Sequence, residues 1–471
     1  MTSRFEVVVV GLGPAGLAAA VELAKAGVRV ALVDENPAPG GQVYRQNPPE
    51  FRLTDSRFLD FRHRAGQALI DSFNSIRDQV EVLTETLAWG LFDDAGLALQ
   101  KNNRLDLLEF DKLILAEGAM ERSVPFPGWT LPGVMTAGGL QRLLVNQGLL
   151  PGKRFVLAGA SPLLITVAAS LIRAGGQLAA LCEATSFWEN LKLVPAMIRQ
   201  GHLFRETASC LSAVWKKRVP VLRGQAIVAA RGDERVREVT VARLDDDWQP
   251  VPGSEKNLEA DIVAVSYGFL PLARLTRLAG CQQVYDPVQK SWRPQVDQFM
   301  LTSEPNVYAA GDSAGIGGAD LAELEGRIAA VHAARDLGRL KAGEAEAKLA
   351  GLFEKKNSLA RWSRSLDRVF QLRPGLFEII TGETVVCRCE QVRAEEVFRG
   401  LDLGYRNINE IKRTRVGMGP CQGRTCEAVV AELMRQRGLS PEEIGFISTR
   451  PPTTPIQLSV FRDQAARSAS A

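Results

Sequence analysis

The chain opens with a strand, a glycine-rich turn, a helix and a second strand, and this unit constrains the fold more than any other feature. A buried, β-branched strand pattern precedes Gly11, an alanine-rich helix pattern follows Gly16, and the second strand ends in Asp34. Gly11 permits the tight turn, Gly13 lets the backbone approach a pyrophosphate, and Gly16 lets helix and strand pack closely. The pattern predicts a parallel βαβ unit that binds a dinucleotide at its helix N-terminus.

The residues after this unit extend the predicted nucleotide site. Asp34 occupies the position at which a carboxylate can bind ribose hydroxyls, and the loop over 35–45 is rich in Gly and Pro, which suits a close approach to an extended cofactor. The cofactor contacts expected in this part of the chain are Gly11, Gly13, Pro14, Ala15, Gly16, Asp34, Glu35, Gly41, Gln42 and Arg45.

A second βαβ pattern begins near residue 153 and is a degraded copy of the first. Gly159 is retained, but the second glycine is replaced by Ser161 and the third by Leu164, which hinders pyrophosphate approach. Glu183 occupies the ribose-acid position, so an adenine nucleotide stays open and NAD is favoured over NADP. A retained structural domain is the preferred interpretation over a working nicotinamide site.

Size and charge bound the class of protein. A chain of 471 residues predicts two or three domains, and 57 basic against 54 acidic residues, net +3, give no global field for nucleic acid or an anionic membrane. The most apolar stretch, residues 7–21, is interrupted by the glycine loop and predicts no transmembrane segment. Three scattered cysteines in addition to a C-terminal group fit a reducing compartment, which predicts a cytoplasmic protein.

Four cysteines near the C-terminus form a C-x-C pair, Cys387 and Cys389, and a C-x4-C pair, Cys421 and Cys426. Four thiolates in two pairs suit the two irons of a 2Fe-2S cluster. Structural zinc is the alternative, although zinc sites more often use C-x2-4-C knuckles. Nearby arginines either reinforce the field around an anionic cluster or form a solvated face. The spacing favours iron and electron transfer.

Two further segments resemble flavoproteins of the glutathione-reductase type. The strand over 306–310 ends in Gly311 and Asp312, and the strand over 113–115 ends in Ala116-Glu-Gly118. This resemblance implies that the first nucleotide is FAD, with Ala116, Gly118, Gly311 and Asp312 at the flavin. That family usually has threonine where this chain has Glu117. The alternative for Asp312 is a turn residue or helix cap.

These patterns predict an α/β protein with two Rossmann-like domains and a small, mainly helical C-terminal domain. The predicted division is an FAD-binding domain over 1–148 and 284–345, a degraded NAD(P)-binding-like domain over 149–283, a helical linker over 346–380, a cysteine domain over 381–448, and a Pro-rich tail over 449–471 whose Ala/Ser/Arg-rich end is expected to be mobile.

The cysteine strings around 386–390 and 412–426 resemble the bacterioferritin-associated-ferredoxin-like 2Fe-2S module. The order of parts resembles the alpha subunit of heteromeric amine dehydrogenases, a family that includes opine oxidases, D-hydroxyproline and proline dehydrogenases and hydrogen cyanide synthase. The resemblance implies an electron-transfer subunit that works with a glycine-oxidase-like FAD subunit, with a small ferredoxin-like subunit, and with a downstream electron acceptor.

The same resemblance leaves three points open. An additional FMN at a subunit interface occurs in such assemblies, and the acceptor could place the chain at the inner membrane face. The substrate could be an opine, D-hydroxyproline, proline or glycine. The competing hypothesis is a self-contained NAD(P)H-dependent FAD and iron-sulfur oxidoreductase, against which Ser161 and Leu164 argue.

Overall fold

A computed structural model describes residues 3–46, 66–92, 96–199 and 201–462. Its strands are β1 (Ser3–Val10), β2 (Val30–Val33), β3 (Glu81–Leu83), β4 (Thr86–Phe92), β5 (Gly96–Lys101), β6 (Arg104–Leu115), β7 (Ala119–Glu121), β8 (Val134–Thr136), β9 (Arg154–Gly159), β10 (Gln177–Glu183), β11 (Val221–Arg223), β12 (Gln225–Arg231), β13 (Glu238–Arg243), β14 (Lys256–Glu259), β15 (Ile262–Ser266), β16 (Phe269–Pro271), β17 (Gln283–Asp286), β18 (Ser291–Pro294), β19 (Val307–Ala309), β20 (Val385–Cys387) and β21 (Val392–Arg393). Its α-helices are α1 (Pro14–Lys25), α2 (Gln67–Asn74), α3 (Ala137–Gln141), α4 (Leu163–Arg173), α5 (Phe187–Leu191), α6 (Val194–Arg199), α7 (Gly201–Lys216), α8 (Arg274–Leu278), α9 (Ala319–Asp336), α10 (Ala342–Val369), α11 (Ala394–Asp402), α12 (Ile408–Ile411), α13 (Glu427–Gln436) and α14 (Pro441–Ile444).

The first sheet has the strand order β3-β2-β1-β6-β5-β4, and β19 also pairs with β6. β1 lies parallel between β2 and β6, so that Val7 is opposite both Val30 and Lys112. Helix α1 starts with Pro14, which has no amide proton to lose there, and its many alanines let it pack closely against α9. The predicted α/β fold is confirmed, and the carboxyl ends of β1, β6 and β19 meet at one edge.

The second sheet repeats this arrangement with the order β11-β10-β9-β15-β8, all parallel. An antiparallel meander, β12-β13-β14, lies beside it. The strand at 134–136, which the predicted division gives to the first domain, hydrogen-bonds in this second sheet. The domain boundaries otherwise stay predictions.

The C-terminal part is mainly helical and packs into the same hydrophobic core as the second sheet. That core joins Val156 and Trp248 of the second domain to Val386 and Val430 of the cysteine region. Trp129 donates its indole N–H to the carbonyl of Val385 at 2.7 Å, which holds β20 in place. The cysteine region is therefore fixed against the nucleotide-binding folds.

Two ion pairs and the tail add to this attachment. Arg277 binds the Glu427 carboxylate through both terminal nitrogens at 3.0 and 2.9 Å, and Lys290 contacts Glu432 at 2.8 Å in a buried pair. Thr453 is buried and donates its amide to the carbonyl of Trp89 at 2.8 Å. The Pro-rich start of the tail is therefore held against β4, and the Ala/Ser/Arg-rich end that is predicted to be mobile lies mostly outside the described residues, at 463–471. None of the described helices is both long and apolar enough to cross a membrane.

Candidate functional site

In the glycine loop after β1, two glycines pack so tightly that a side chain would collide with the backbone, and a third has free space beside it. Gly11 has a φ of +101°, and a Cβ there would lie 2.2 Å from the carbonyl oxygen of Ala116. A Cβ on Gly16 would lie 1.8 Å from the carbonyl oxygen of Gly11. At Gly13, a Cβ would meet only the Gly41 Cα at 3.9 Å, and at Gly118 it would meet nothing within 4 Å. The loop therefore leaves space beside Gly13 and Gly118 that a ligand could fill.

Asp34 and Glu35 differ sharply in their surroundings. The buried Asp34 accepts the Leu12 amide at 2.6 Å with one carboxylate oxygen, and the Asn36 amide and side chain, both at 2.7 Å, with the other. Its carboxylate thus ties the glycine loop to the loop that follows β2. Glu35 is exposed at the adjacent position. The structure gives Asp34 a positioning role and leaves Glu35 as the more accessible carboxylate.

The loop at 40–45 folds back on the glycine loop. A Cβ on Gly41 would lie 2.7 Å from the Cα of Gly13. The Arg45 guanidinium donates to Asn36 at 3.0 Å and to Gln42 at 3.1 Å, while its buried Nε has no hydrogen-bond partner among the described residues. Burial lowers the pKa of Arg45, and nearby Arg142 adds to that effect. An anionic ligand would accept a hydrogen bond from Arg45 Nε and would stabilise the positive charge of its guanidinium.

The third wall of this site comes from the turn after β19. The Asp312 carboxylate accepts the amides of Gly317 at 2.9 Å and Gly318 at 3.1 Å, so it holds the loop that leads into α9. This is the role of a turn residue, which the sequence left as one alternative for Asp312. The Gly311 amide donates to Glu325 at 3.0 Å, and burial raises the pKa of that carboxyl to about 7. Glu325 was missed because it lies in a helix pattern without a local signal.

Pro14 and Ala15 complete the set of predicted cofactor contacts in the first unit. Pro14 is the first residue of α1, and Ala15 is buried, with its carbonyl 2.0 Å from where a Cβ on Gly326 would lie. The close approach of α1 to α9 therefore depends on Gly326. The structure thus brings the residues predicted from three separate segments to the same edge of the first sheet.

The second βαβ unit keeps its first glycine, but its remaining polar groups are engaged by the protein. A Cβ on Gly159 would lie 1.9 Å from the Ser266 carbonyl oxygen. Ser161 accepts the Leu163 amide at 3.3 Å, at the start of α4. Glu183 contacts Arg223 at 3.3 Å and accepts from Asn190 at 3.4 Å. Burial raises the pKa of Glu183, and Arg223 opposes that shift.

The four predicted cysteines line one cavity of about 430 Å³. The Sγ atom of Cys389 lies 3.6 Å from that of Cys421 and 3.9 Å from that of Cys387. Two thiolates on one tetrahedral ion at 2.3 Å stand about 3.8 Å apart, so both separations suit a shared ion. Cys387 and Cys426 are buried, Cys421 is partly buried and Cys389 is exposed. The cavity thus has a buried pair and an outer pair of thiols.

The protonation of these thiols is uneven. A hydrogen bond from Cys426 lowers the pKa of Cys387 to about 5, and burial raises the pKa of Cys389 to about 11. The hydrogen bond with Cys387, followed by burial, raises the pKa of Cys426. Within the described ranges, no group of three or more His, Cys, Asp and Glu side chains could hold a metal ion. The short sulfur separations therefore occur in pairs, with Cys389 in both.

The opposite wall of the cysteine cavity comes from the nucleotide-binding folds. Met120, Glu121 and Ser123 line it, directly after the segment that contains Gly118. Glu121 accepts the Gly138 amide at 2.9 Å, and burial raises its pKa. Sequence reasoning missed this wall because nothing near residue 120 signals contact with a segment more than 250 residues away.

Arg424 lies between the cysteine loop and the first nucleotide-binding unit. Its Nε donates to the Cys421 carbonyl at 3.0 Å, and its charge interacts with Glu35 and Glu117. Glu117 is buried, which raises its pKa to about 7, while Arg274 opposes that shift. Of the arginines near the cysteines, Arg415 instead pairs with Glu390 at 2.7 Å and Arg413 stacks on Tyr405. Only Arg424 among these three contacts a cysteine residue directly in the described contacts.

A second cavity, of about 470 Å³, lies between the cysteine region, α8 and the β17-β18 hairpin. It adjoins the first cavity, since Met120 lines both. Basic side chains outnumber acidic ones in its lining, and the Nε atoms of Arg274 and Arg277 are buried without hydrogen-bond partners in the described structure. The rings of Tyr285 and Trp292 also face it. This lining suits an anionic ligand with a planar group.

The fold and these cavities define a class: an oxidoreductase with two dinucleotide folds and an attached cysteine domain. Residues 5–338 match the family described as pyridine nucleotide-disulphide oxidoreductase, and residues 381–464 match the sarcosine oxidase A3 domain. L-proline dehydrogenase from P. horikoshii has a similar fold, with a TM-score of 0.67 and 18% identity, over 98% of this chain and 80% of that one.

Curated relatives narrow this class. Hydrogen cyanide synthase subunit HcnB of Pseudomonas aeruginosa is 34% identical over 97% of this chain and 98% of its own length. An opine oxidase subunit of Rhizobium meliloti is 34% identical over 97% of this chain and 86% of its own length. The chain therefore belongs to the family of HcnB and this opine oxidase subunit, within the pyridine nucleotide-disulphide oxidoreductases. The family inferred from the sequence is confirmed.

Proposed function

We propose that the chain is the FAD- and 2Fe-2S-containing electron-transfer subunit of a multi-subunit dehydrogenase that oxidises an amine or amino acid. The observation that carries this proposal is the cysteine cavity, whose opposite wall is Met120 to Ser123, directly after the segment of Gly118. A redox group held by the cysteines would thus lie next to one held by the glycine loop. Because electron transfer needs short distances and little chemistry from side chains, the protein has only to hold the two groups.

Two features of the first βαβ unit support FAD: the free space at its glycine loop and the groups there that could bind phosphate and ribose. The space beside Gly13 and Gly118 admits a pyrophosphate and its neighbours, and the helix N-terminus of α1 supplies amides to the phosphates. Glu35 is the proposed ribose ligand, because both oxygens of Asp34 already hold the two loops. A bound flavin supplies an acceptor that takes two electrons and releases them singly to iron.

The cysteine cavity fits a two-iron cluster better than a single zinc ion. A zinc site needs all its ligands around one point, whereas a 2Fe-2S cluster needs two pairs of thiolates, with sulfide completing each iron. Cys389 and Cys421 stand at a suitable separation for one pair, and Cys387 and Cys426 are hydrogen-bonded as the other. Arg424 and the N-terminus of α13 place positive charge near the resulting anion.

The names of the relatives support the proposal of a multi-subunit complex that acts on an amine or amino acid. HcnB and its opine oxidase relative are both named as subunits, so we propose that a separate, glycine-oxidase-like FAD subunit oxidises the substrate. The proposed route for electrons is completed by a downstream acceptor and a small ferredoxin-like subunit. The proposed substrate is an opine, D-hydroxyproline, proline or glycine. All seven cysteines are free thiols, which supports work in the reducing cytoplasm.

Metal and sulfide analysis of the purified chain tests the cluster directly. We expect about two irons and two acid-labile sulfides per chain, with visible charge-transfer absorption. Cys389→Ser or Cys421→Ser should lose the iron and keep FAD, whereas Cys281→Ser, at a buried thiol that does not line the cavity, should keep both. Zinc without iron would overturn the proposal.

Mixing the purified chain with NADH separates the proposed relay from a self-contained NAD(P)H oxidoreductase. In the second unit Ser161 already accepts the Leu163 amide and Glu183 already contacts Arg223, so we expect no flavin bleaching within the mixing time. The partner subunit with its amine substrate should bleach the flavin instead. Prompt bleaching by NADH alone would favour the alternative function.

The cavity of about 470 Å³ supports one additional proposal, an FMN near the subunit interface. Its excess of basic side chains could hold a phosphate, and Tyr285 and Trp292 could contact a flavin ring. Separating the released flavins of the assembled complex by chromatography tests this. The second unit stays the proposed place for any adenine nucleotide, with Glu183 as its acid.

A further inference from the structure

Half of the large hydrophobic residues that are exposed in the described chain lie in one helical segment of the second domain. The described chain has fourteen large hydrophobic residues that are exposed, and seven of them fall between residues 187 and 215. Trp215 is 82% exposed and Trp188 is 71% exposed. We call α5, α6 and α7, with the basic residues that follow to 218, the helical excursion. A segment with this many large apolar side chains exposed is a candidate interaction site.

The longest helix of the excursion shows that this exposure follows a pattern. Cys210 and Val214 are buried where α7 packs on α4. Phe204, Leu211 and Trp215 are spaced by seven and four residues, so they lie on one face of α7, and all three are exposed. The helix thus has a wider apolar arc than its own domain covers. Nothing in the folding of α7 itself requires the exposed face to be apolar.

The excursion also concentrates positive charge. Residues 187–218 contain six Lys and Arg against two Glu, a net charge of +4, whereas the whole chain is +3, so the remainder is −1. The pairing of Glu189 with Arg373 neutralises one of the two acidic groups. Lys216, Lys217 and Arg218 follow Trp215 directly. The nearly balanced whole-chain charge, which gave no expectation of membrane binding, therefore hides a local basic surface.

We infer that the helical excursion binds the surface of an anionic membrane. An interfacial helix places Trp, Phe and Leu into the headgroup boundary, while neighbouring Lys and Arg contact anionic lipids. Protein interfaces are instead depleted of Lys, and Lys192, Lys216 and Lys217 of the excursion are all exposed. The excursion lies on the membrane and does not span it. The inference rests on this surface alone and is independent of the proposed electron transfer.

Vesicle binding by the purified full-length chain tests the inference. We expect co-sedimentation with vesicles that contain phosphatidylglycerol, weaker binding to phosphatidylcholine vesicles, and release by salt. Tryptophan fluorescence should shift to shorter wavelength on binding. The Trp188→Glu/Trp215→Glu variant should lower the vesicle partition coefficient at least about tenfold, and each of Lys216→Gln and Lys217→Gln should lower it about fivefold.

Leu403→Glu/Leu458→Glu is the matched control, because both leucines are exposed outside the excursion, at 70% and 83%, and the variant gains the same two negative charges. It should bind vesicles like the unaltered chain. Absence of binding to both vesicle types would overturn the inference, as would equal binding by the tryptophan variant. Loss of self-association or of partner-subunit binding in that variant, with unchanged vesicle binding, would likewise overturn it and assign the surface to a protein.

Discussion

The two βαβ units share a topology and differ in what their loops leave free. In both, the first glycine adopts a positive φ, and a Cβ would collide with a carbonyl at the end of the neighbouring parallel strand: Ala116 for Gly11 and Ser266 for Gly159. The second and third glycines persist only in the first unit. This comparison shows that the turn needs the first glycine in both units, whereas the second position lacks a side chain only in the first unit, where we propose that a pyrophosphate approaches.

The acidic residues after each second strand extend the comparison. In the first unit, Asp34 holds two loops by backbone amides and leaves Glu35 exposed. In the second, Glu183 is held by Arg223 and Asn190. A carboxylate in the ribose position is therefore a weak indicator of binding on its own, because a neighbouring cation can occupy it.

The largest expected effect is the loss of flavin from Gly13→Val. The Gly13 position is open apart from Gly41 at 3.9 Å, so the new side chain should be tolerated by the fold and should fill the pyrophosphate space. We expect purified Gly13→Val to contain little or no FAD, measured by absorbance and by release of the flavin. Ser161→Ala at the equivalent position of the second unit should retain full flavin. A flavin-replete Gly13→Val protein would place the cofactor elsewhere.

Leu164→Ala should affect stability without affecting flavin. Leu164 is 1% exposed and fills the place of the third glycine in the second unit. Truncating a buried leucine costs about 3 kcal/mol through lost burial and the cavity left behind. Denaturant unfolding should show that loss, while FAD content stays unchanged. If FAD were lost in proportion, the two units would not be independent in the way the comparison requires.

Asp34→Asn should weaken FAD binding by a moderate amount. The amide would replace charge-assisted hydrogen bonds to Leu12 and Asn36, a loss of about 2 kcal/mol or roughly thirtyfold in affinity. Titration of the apoprotein with FAD measures this. Glu183→Gln is the matched change in the second unit and should leave the FAD affinity unaltered. Equal weakening by both variants would contradict the distinction between the two acids.

Local sequence patterns predicted the parts that short-range chemistry determines. The glycine loops and the strand that precedes Gly311 each depend on a few adjacent residues, and they occur in the structure where the pattern predicts them. The four cysteines were grouped by spacing alone and line one cavity. The spacing did not predict that Cys389 lies nearer Cys421 than Cys387, because that depends on how the loop over 417–421 folds.

Contacts between distant segments could not be predicted in this way. The wall formed by Met120 and Glu121, the contact of Glu183 with Arg223, and the position of Arg424 near Glu35 all arise from packing between elements far apart in the chain. Each residue involved is ordinary in its local pattern. Asp34 and Glu35 are adjacent acids with different roles, because Asp34 accepts the Leu12 amide and Glu35 is exposed. Only the folded loop brings that amide near Asp34, so the sequence alone could not distinguish the two.

The smallest expected effect concerns Glu325, a buried acid on the first unit without a counterpart in the second unit's loop. Burial raises its folded-state pKa from 4.5 to about 7. Between these two values the unfolded chain releases a proton that the folded chain keeps, so Glu325 lowers stability progressively as pH rises through that window. Glu325→Gln should therefore show a flatter fall in melting temperature from about pH 4.5 to about pH 7 than the unaltered chain.

The size of this effect is limited by Lys356, which contacts Glu325 at 3.6 Å and would lose its partner in the variant. We expect a net difference of about 1 kcal/mol above the upper pKa, because the lost ion pair offsets part of the relieved burial. Glu344→Gln, at an exposed site on α10, should leave the pH dependence unaltered. A Glu325→Gln protein with the same pH profile as the unaltered chain would mean that Glu325 is ionised in the fold. Its charge would then be held by Lys356 and the Gly311 amide, and the flavin-side turn would depend on that ion pair.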